Sequence, residues 1–166
     1  MRKMTEKALQ EAFAGESMAH MKYLIFAELA EEKGYKNLAK LFKAIAYAEF
    51  VHARNHARNL GMVGNIIENI NKAIEGETFE VEEMYPAYDA IAKLQNENNA
   101  QLSIKYALEA EKIHADLYKM AKEEAEKEKD IGIDEIYICP VCGYTHIGEP
   151  IDCPICGASK DKFRRF

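Results

Sequence analysis

The chain has 166 residues, 48% of them hydrophobic, and 28 acidic against 22 basic side chains give a formal net charge of −6. A chain of that size builds one ordinary domain, or one domain with a small appendage, and its acidic balance argues against a nucleic-acid partner, which would need a basic face to neutralise phosphates. No apolar run approaches the roughly 20 residues that cross a bilayer, and Met1-Arg2-Lys3-Met4-Thr5-Glu6-Lys7 has no apolar stretch to serve as a secretory signal, so no membrane is expected as a partner and the expected location is the cytoplasm.

Leu9, Ala12, Phe13, Ala19, Tyr23, Phe26, Ala27 and Ala30 recur at helical spacing and predict a long amphipathic helix from Lys3 to Lys33, stopped by Gly34. A second helix is expected from Lys36 to Leu60, ending at Gly61, with Leu38, Leu41, Phe42 and Ile45 on its core face. Residues 61–77 read as a long connection holding a short helix from Asn65 to Glu75, capped by Asn65 and closed by Gly76. A third helix is expected from Thr78 to Gln95, kinked at Pro86, because proline removes a backbone hydrogen bond. The polar run Gln95-Asn96-Glu97-Asn98-Asn99 breaks the pattern before a fourth helix to Glu128. Four long helices with a crossover between the second and third describe an all-α, ferritin-like four-helix bundle. The predicted domains are residues 1–132, the bundle, and 133–166, a small four-cysteine module.

Two copies of one helical phrase carry the chemistry. Glu49-Phe50-Val51-His52 and Glu111-Lys112-Ile113-His114 each set a carboxylate and an imidazole three residues apart, on one helix face. An ionised carboxylate facing a core is unfavourable unless it is paired or bound to a metal. The two halves of the helical region resemble each other: Glu16 precedes Glu49 by 33 residues, and Glu80 precedes Glu111 by 31. Glu83 stands where the first half has Ala19, so the second half offers one extra carboxylate. A lone Glu plus a Glu-x-x-His from each half is the donor set of di-metal carboxylate bundles, and such hard, bridging ligands with imidazole suit iron, zinc or manganese. His20 and His56 read as surface or supporting positions, and His146 as a solvent-facing loop residue.

The cysteines form two knuckles, Cys139-Pro140-Val141-Cys142-Gly143 and Cys153-Pro154-Ile155-Cys156-Gly157. Four thiolates so spaced make a tetrahedral site for iron or zinc. Residues 133–166 are too few for an independent apolar core, so the metal should hold the module together, with Tyr137, Ile138, Tyr144, Ile147, Phe163 and Phe166 packed around it. A structural zinc ribbon is the plain reading of this module alone. A one-electron iron–thiolate centre beside a two-metal site makes a redox circuit instead.

The chain resembles the rubrerythrins. Gly15-Glu16-Ser17, Ala48-Glu49-Phe50-Val51-His52, Glu80-x-x-Glu83-Met84-Tyr85-Pro86, Glu111-x-x-His114 and the two Cys-Pro-x-Cys-Gly knuckles carry the likeness. It implies a di-iron site with Glu16, Glu49, His52, Glu80, Glu83, Glu111 and His114 as ligands, and a rubredoxin-like iron held by Cys139, Cys142, Cys153 and Cys156. Glu83 and His52 would exchange at one iron as its oxidation state changes, and Tyr23 and Tyr88 would hydrogen-bond near the cluster. The implied activity is reduction of hydrogen peroxide to water, with electrons from NADH through separate proteins such as a reductase and rubredoxin, in a homodimer. The alternatives are a ferroxidase of the same fold and a non-enzymatic helical module with a zinc ribbon. The turn at Gln95–Asn99 departs from the first half in lacking the glycine of Lys33-Gly34-Tyr35.

Overall fold

The computed structural model describes residues 1–166, which fall into two compact units, Met1–Gly64 and Asn65–Phe166. The first is a hairpin of α1 (Lys3–Glu32) and α2 (Lys36–Asn59). Gly34, at φ +79°, takes the left-handed turn, with Gly34 N–H donating to Glu31 O and Tyr35 N–H to Ala30 O. The seam between the helices is made of alanines. Ala27 and Ala30 of α1 and Ala39, Ala46, Ala53 and Ala57 of α2 are buried, and such small side chains let two helices approach closely. Across it, His20 Nδ1 lies 2.7 Å from the Ala46 carbonyl oxygen and Lys43 pairs with Glu31 at 2.6 Å. His20 is thus a fixture of the hairpin. Several large apolar side chains expected on the core faces are not covered: Leu41 is 54% exposed, Leu38 44%, Phe26 43% and Ile45 39%.

The second unit opens at Asn65, whose side chain accepts from Glu68 N–H while the Glu68 carboxylate accepts from Asn65 N–H, a reciprocal cap. From there α3 runs over Ile66–Phe79 without a break at Gly76. The expected short helix closed by Gly76 is therefore the first part of a longer one, and the irregular connection spans only residues 60–65. A glycine inside a helix lowers its stability but does not end it when the flanking turns are well formed. A π turn, Glu80–Met84, follows, then α4 (Tyr85–Leu94). Tyr85 N–H donates to Glu80 O five residues back, and this wider turn makes room for the Pro86 ring, which a regular helix would crowd.

At the next turn Asn96 takes φ +59°, with its N–H donating to Lys93 O and Glu97 N–H to Ala92 O. The bonds are those of the Gly34 turn, and asparagine is the residue besides glycine that visits this region routinely. Helix α5 (Asn98–Ala125) ends three residues before the expected Glu128, which itself sits at φ +57°.

The cysteine module is a small antiparallel sheet of β1 (Ile136–Ile138), β2 (Thr145–Ile147) and β3 (Arg164–Arg165) in the order β2-β1-β3, with Tyr137 opposite His146 and Arg165. Cys139, Cys142 and Cys153 are its buried centre, wrapped by Tyr144, Ile155, Ala158, Phe163 and, from α5, Tyr106. Phe166 is 62% exposed and packs under Arg164 rather than on the cysteines. His146 is half-buried, its Nε2 donating to Glu149 O at 2.9 Å.

Candidate metal centres

Each unit assembles one carboxylate–histidine triad. In the first, Glu49 and His52 on α2 meet Glu16 on α1: His52 Nδ1 is 2.9 Å from Glu49 Oε2 and 3.7 Å from Glu16 Oε1. In the second, Glu111 and His114 on α5 meet Glu77 on α3, with His114 Nδ1 2.6 Å from Glu111 Oε2 and 3.9 Å from Glu77 Oε2. Within each triad one ligand atom per residue lies within 4.8 Å of the others. The two histidines differ in setting. The His52 side chain is 54% exposed, whereas that of His114 is 28% exposed and its Nε2 lies 2.7 Å from Thr145 Oγ1.

Glu77 was not among the residues expected from the sequence. Its carboxyl is pushed up to about 8 by burial, then by its hydrogen bond to Glu111 and the negative charges of Glu111 and Glu80. Glu80 is raised by burial and by Glu111, against the opposing pull of His114, so it too belongs to this group of charges. Glu83 does not: it is exposed and lies outside the triad. The π turn explains why, because from Glu80 onward the chain closes its bonds five residues back and a three-residue step no longer returns to the same face. The tyrosines follow the same register. Tyr85 is raised first by burial and then by the negative charges of Glu80, Glu111 and Glu77, so its hydroxyl feels the field of the acids, whereas Tyr88 is 50% exposed. Tyr23 packs against Phe26 and Phe42, with ring centroids 6.2 Å away in both cases. The signal for Glu77 is in the repeat: Gly15-Glu16-Ser17 aligns with Gly76-Glu77-Thr78, and Glu77 precedes Glu111 by 34 residues, against 33 in the first half. With that alignment Glu80 occupies the place of Ala19 and becomes the extra carboxylate.

The triads suit a cation. Two carboxylates converge on one imidazole nitrogen in each, and in the second triad the acids have no ion-pair partner except the His114 ring. Partial burial and the neighbouring acids push the Glu77 carboxyl up to about 8, so its negative charge is unfavourable there and a divalent ion would neutralise it. The four cysteines are unbridged. Cys139 Sγ and Cys156 Sγ are 3.6 Å apart and Cys142 Sγ and Cys153 Sγ 3.4 Å, near the edge of about 3.8 Å for a tetrahedron with metal–sulfur bonds of about 2.3 Å. Burial pushes the Cys142 and Cys156 thiols up, whereas at Cys153, against the same push, the backbone N–H groups of Cys156 and Ile155 hold the thiol down at about 7, so Cys153 most readily presents the thiolate that a metal requires.

Two carboxylate–histidine triads on helices and an all-thiolate cage on a small sheet define a carboxylate–histidine metalloprotein with an attached thiolate-metal module. The chain matches the Rubrerythrin family over residues 7–122 and the rubredoxin-like domain of rubrerythrin over residues 137–164. It belongs to the rubrerythrin family. It is 49% identical to rubrerythrin-2 of Clostridium acetobutylicum, covering 98% of this chain and 97% of the relative, and 35% identical to nigerythrin of Nitratidesulfovibrio vulgaris, covering 98% and 86%. The solved structure of fully reduced, all-ferrous nigerythrin superposes with a TM-score of 0.58 at 32% identity, over 98% of this chain and 86% of that one. The fold class read from the sequence, ferritin-like helices followed by a rubredoxin-like module, stands, and the family's cofactors are a di-iron site and an iron in the four-cysteine site. No helix is long and apolar enough to cross a membrane.

Proposed function

We propose that this protein is a cytoplasmic non-haem di-iron peroxidase that reduces hydrogen peroxide to water, with electrons returned through the four-cysteine iron. The di-iron ligands in this reading are Glu16, Glu49, His52, Glu77, Glu80, Glu111 and His114, and Cys139, Cys142, Cys153 and Cys156 hold the single iron. The observation that carries it is the pair of matching triads in a chain that also bears an all-thiolate cage. In this reading the two functional domains are 1–132 and 133–166. Electrons come from NADH through a separate reductase and a rubredoxin-type carrier. The protein acts as a homodimer, since the α1–α2 hairpin leaves Ile25, Leu29 and Leu41 more than half exposed, a face that a second copy would cover.

Two ferrous ions supply the electron pair and the Lewis acidity that conversion of peroxide and two protons into two waters requires. The chain's own groups do the rest. Glu77, with its carboxyl near 8, keeps a proton at neutral pH when no cation is present and gives it up when a cation displaces it. The Tyr85 hydroxyl, whose proton is held more tightly by burial and by the field of Glu80, Glu111 and Glu77, serves in this reading as a proton donor to the site. His52 is exposed, its one hydrogen bond is to Glu49 and Glu16 lies 3.7 Å away, so its ring is held only from within its own triad, and Glu80 is the extra carboxylate that would compensate a more highly charged ion better than imidazole does. The test is a steady-state assay with NADH, reductase and rubredoxin that counts peroxide consumed against ferric iron appearing in solution. Sustained consumption with iron retained is the expected result. Ferric release in step with consumption would make the protein a ferroxidase, and no consumption by iron-loaded protein would favour a structural role.

A further inference from the structure

The four-cysteine module is seated on one face of α5. Tyr106, Ala110 and His114 are spaced four residues apart, so they line up along the helix. Tyr106 packs against the cysteine core, Ala110 Cβ lies 3.7 Å from where a side chain on Gly143 would begin, and His114 Nε2 lies 2.7 Å from Thr145 Oγ1. Thr145 is the one polar side chain buried in the molecule, 7% exposed, and stands at the start of β2. Its hydroxyl has a second partner, the Gly143 carbonyl oxygen at 3.3 Å, and Gly143 N–H in turn donates to Cys139 O at 3.0 Å. The contact lies in the wall of an apolar cleft of ≈ 420 Å³ lined by Leu117, Tyr118, Ile133, Ile138 and Phe166, where a low local dielectric strengthens a polar contact and penalises an unpaired one.

We propose that Thr145 is a positioning residue that sets which nitrogen of His114 is available to a metal and, through the same bond, latches the cysteine module to α5. This rests on reading His114 as a metal ligand. Nδ1 is the nitrogen that faces Glu111 and Glu77, so a bound cation takes its lone pair and the ring proton resides on Nε2. Nε2–H then donates to Thr145 Oγ1. A hydroxyl can donate one hydrogen while accepting another, and Thr145 passes its own to the Gly143 carbonyl. A metal-binding histidine whose other N–H is held in this way keeps its ring orientation, and loss of such a partner lowers metal affinity by about 10–100-fold. His52 has no equivalent: its one hydrogen bond is to Glu49. The two triads therefore differ in kind, one histidine anchored from behind and the other without that anchor.

The experiment uses full-length protein with ¹⁵N-labelled histidine, loaded with zinc as a diamagnetic stand-in, in wild-type, Thr145→Val and Thr145→Ser forms. Zinc should shift the His114 Nδ1 resonance, and wild type should show an Nε2–H proton protected from solvent exchange. In Thr145→Val, which keeps the shape and removes the hydroxyl, that protection should vanish and zinc affinity at this triad should fall about tenfold. Thr145→Ser, which restores a hydroxyl, should recover both, so a general loss of folding in the valine variant cannot imitate the result. A protected Nε2–H and unchanged affinity in Thr145→Val would overturn the proposal, as would failure of serine to rescue. Zinc that leaves Nδ1 unmoved would remove the ligand reading and the proposal with it. None of these readouts involves peroxide, so a failure of the peroxidase reading alone would show only in turnover.

Discussion

Glu77 gives the sharpest quantitative test of the second triad. A carboxyl titrating near 8 is about nine-tenths protonated at pH 7 and about one-tenth at pH 9. Metal ligands must be deprotonated, so ferrous binding at pH 7 should expel close to one proton from the coupled Glu77–Glu111 pair, and far less at pH 9. Affinity should rise with pH by up to about tenfold per unit below 8 and then level off. The sign for folding runs the other way. Because the native, metal-free state holds this proton more tightly than the unfolded chain, its contribution to stability is complete below the usual carboxylate range and is lost as pH rises through about 8. The assay is anaerobic calorimetric titration with ferrous ion in two buffers of different ionisation enthalpy, which counts protons released. Glu77→Gln should lower the count at pH 7 by close to one and flatten its pH dependence, whereas Glu83→Gln should leave both as in wild type. An unchanged count in Glu77→Gln, or a drop in Glu83→Gln, would refute the placement of Glu77 in the triad.

The same register predicts that Glu80→Ala slows peroxide turnover at least tenfold while Glu83→Ala stays within about twofold, measured in the NADH-coupled assay, since only Glu80 lies among the acids around Glu111 and His114. Cys153→Ser should strip the metal from the cysteine site and leave residues 133–166 open to limited proteolysis, because metal binding supplies about 10 kcal/mol to folds of this kind, while far-ultraviolet circular dichroism of the helices persists. Gly76→Ala should stabilise the protein by about 0.5–1 kcal/mol in urea denaturation, since the position is mid-helix and an added Cβ meets nothing within 4 Å. Gly34→Ala should cost about 1 kcal/mol or more in the same assay, because its φ of +79° is strained for any side chain.

Much of this was legible in the sequence because the signals are local. Gly34 and Gly61 end their helices where the pattern of apolar residues says they should, both at positive φ. The two Glu-x-x-His phrases and the two cysteine knuckles each assemble as their spacing requires. What escaped depended on events that spacing does not encode. Gly76 reads like a stop, yet the reciprocal cap at Asn65 and Glu68 starts a helix that runs through it. The π turn at Glu80–Met84 shifts the helix phase, so that counting three residues on from Glu80 selects the exposed Glu83. Asn96 does the work of the missing glycine, which the apolar pattern could not show. The apolar stripe of α2 marks a surface that alanines, not leucines, bury within the hairpin. Thr145 carried no sequence signal at all, because its partner lies 31 residues away on α5.

The central claim is that peroxide is reduced at the carboxylate–histidine irons with electrons drawn from the thiolate-bound iron. Rapid mixing of fully reduced protein with hydrogen peroxide, followed at the visible absorbance of the ferric four-cysteine centre, tests it most directly. The account predicts that the red colour develops promptly in wild type and is slowed by orders of magnitude in Glu111→Ala, whose cysteine site is intact. Equal rates in the two proteins would mean that peroxide attacks the cysteine iron by itself, and would contradict the account.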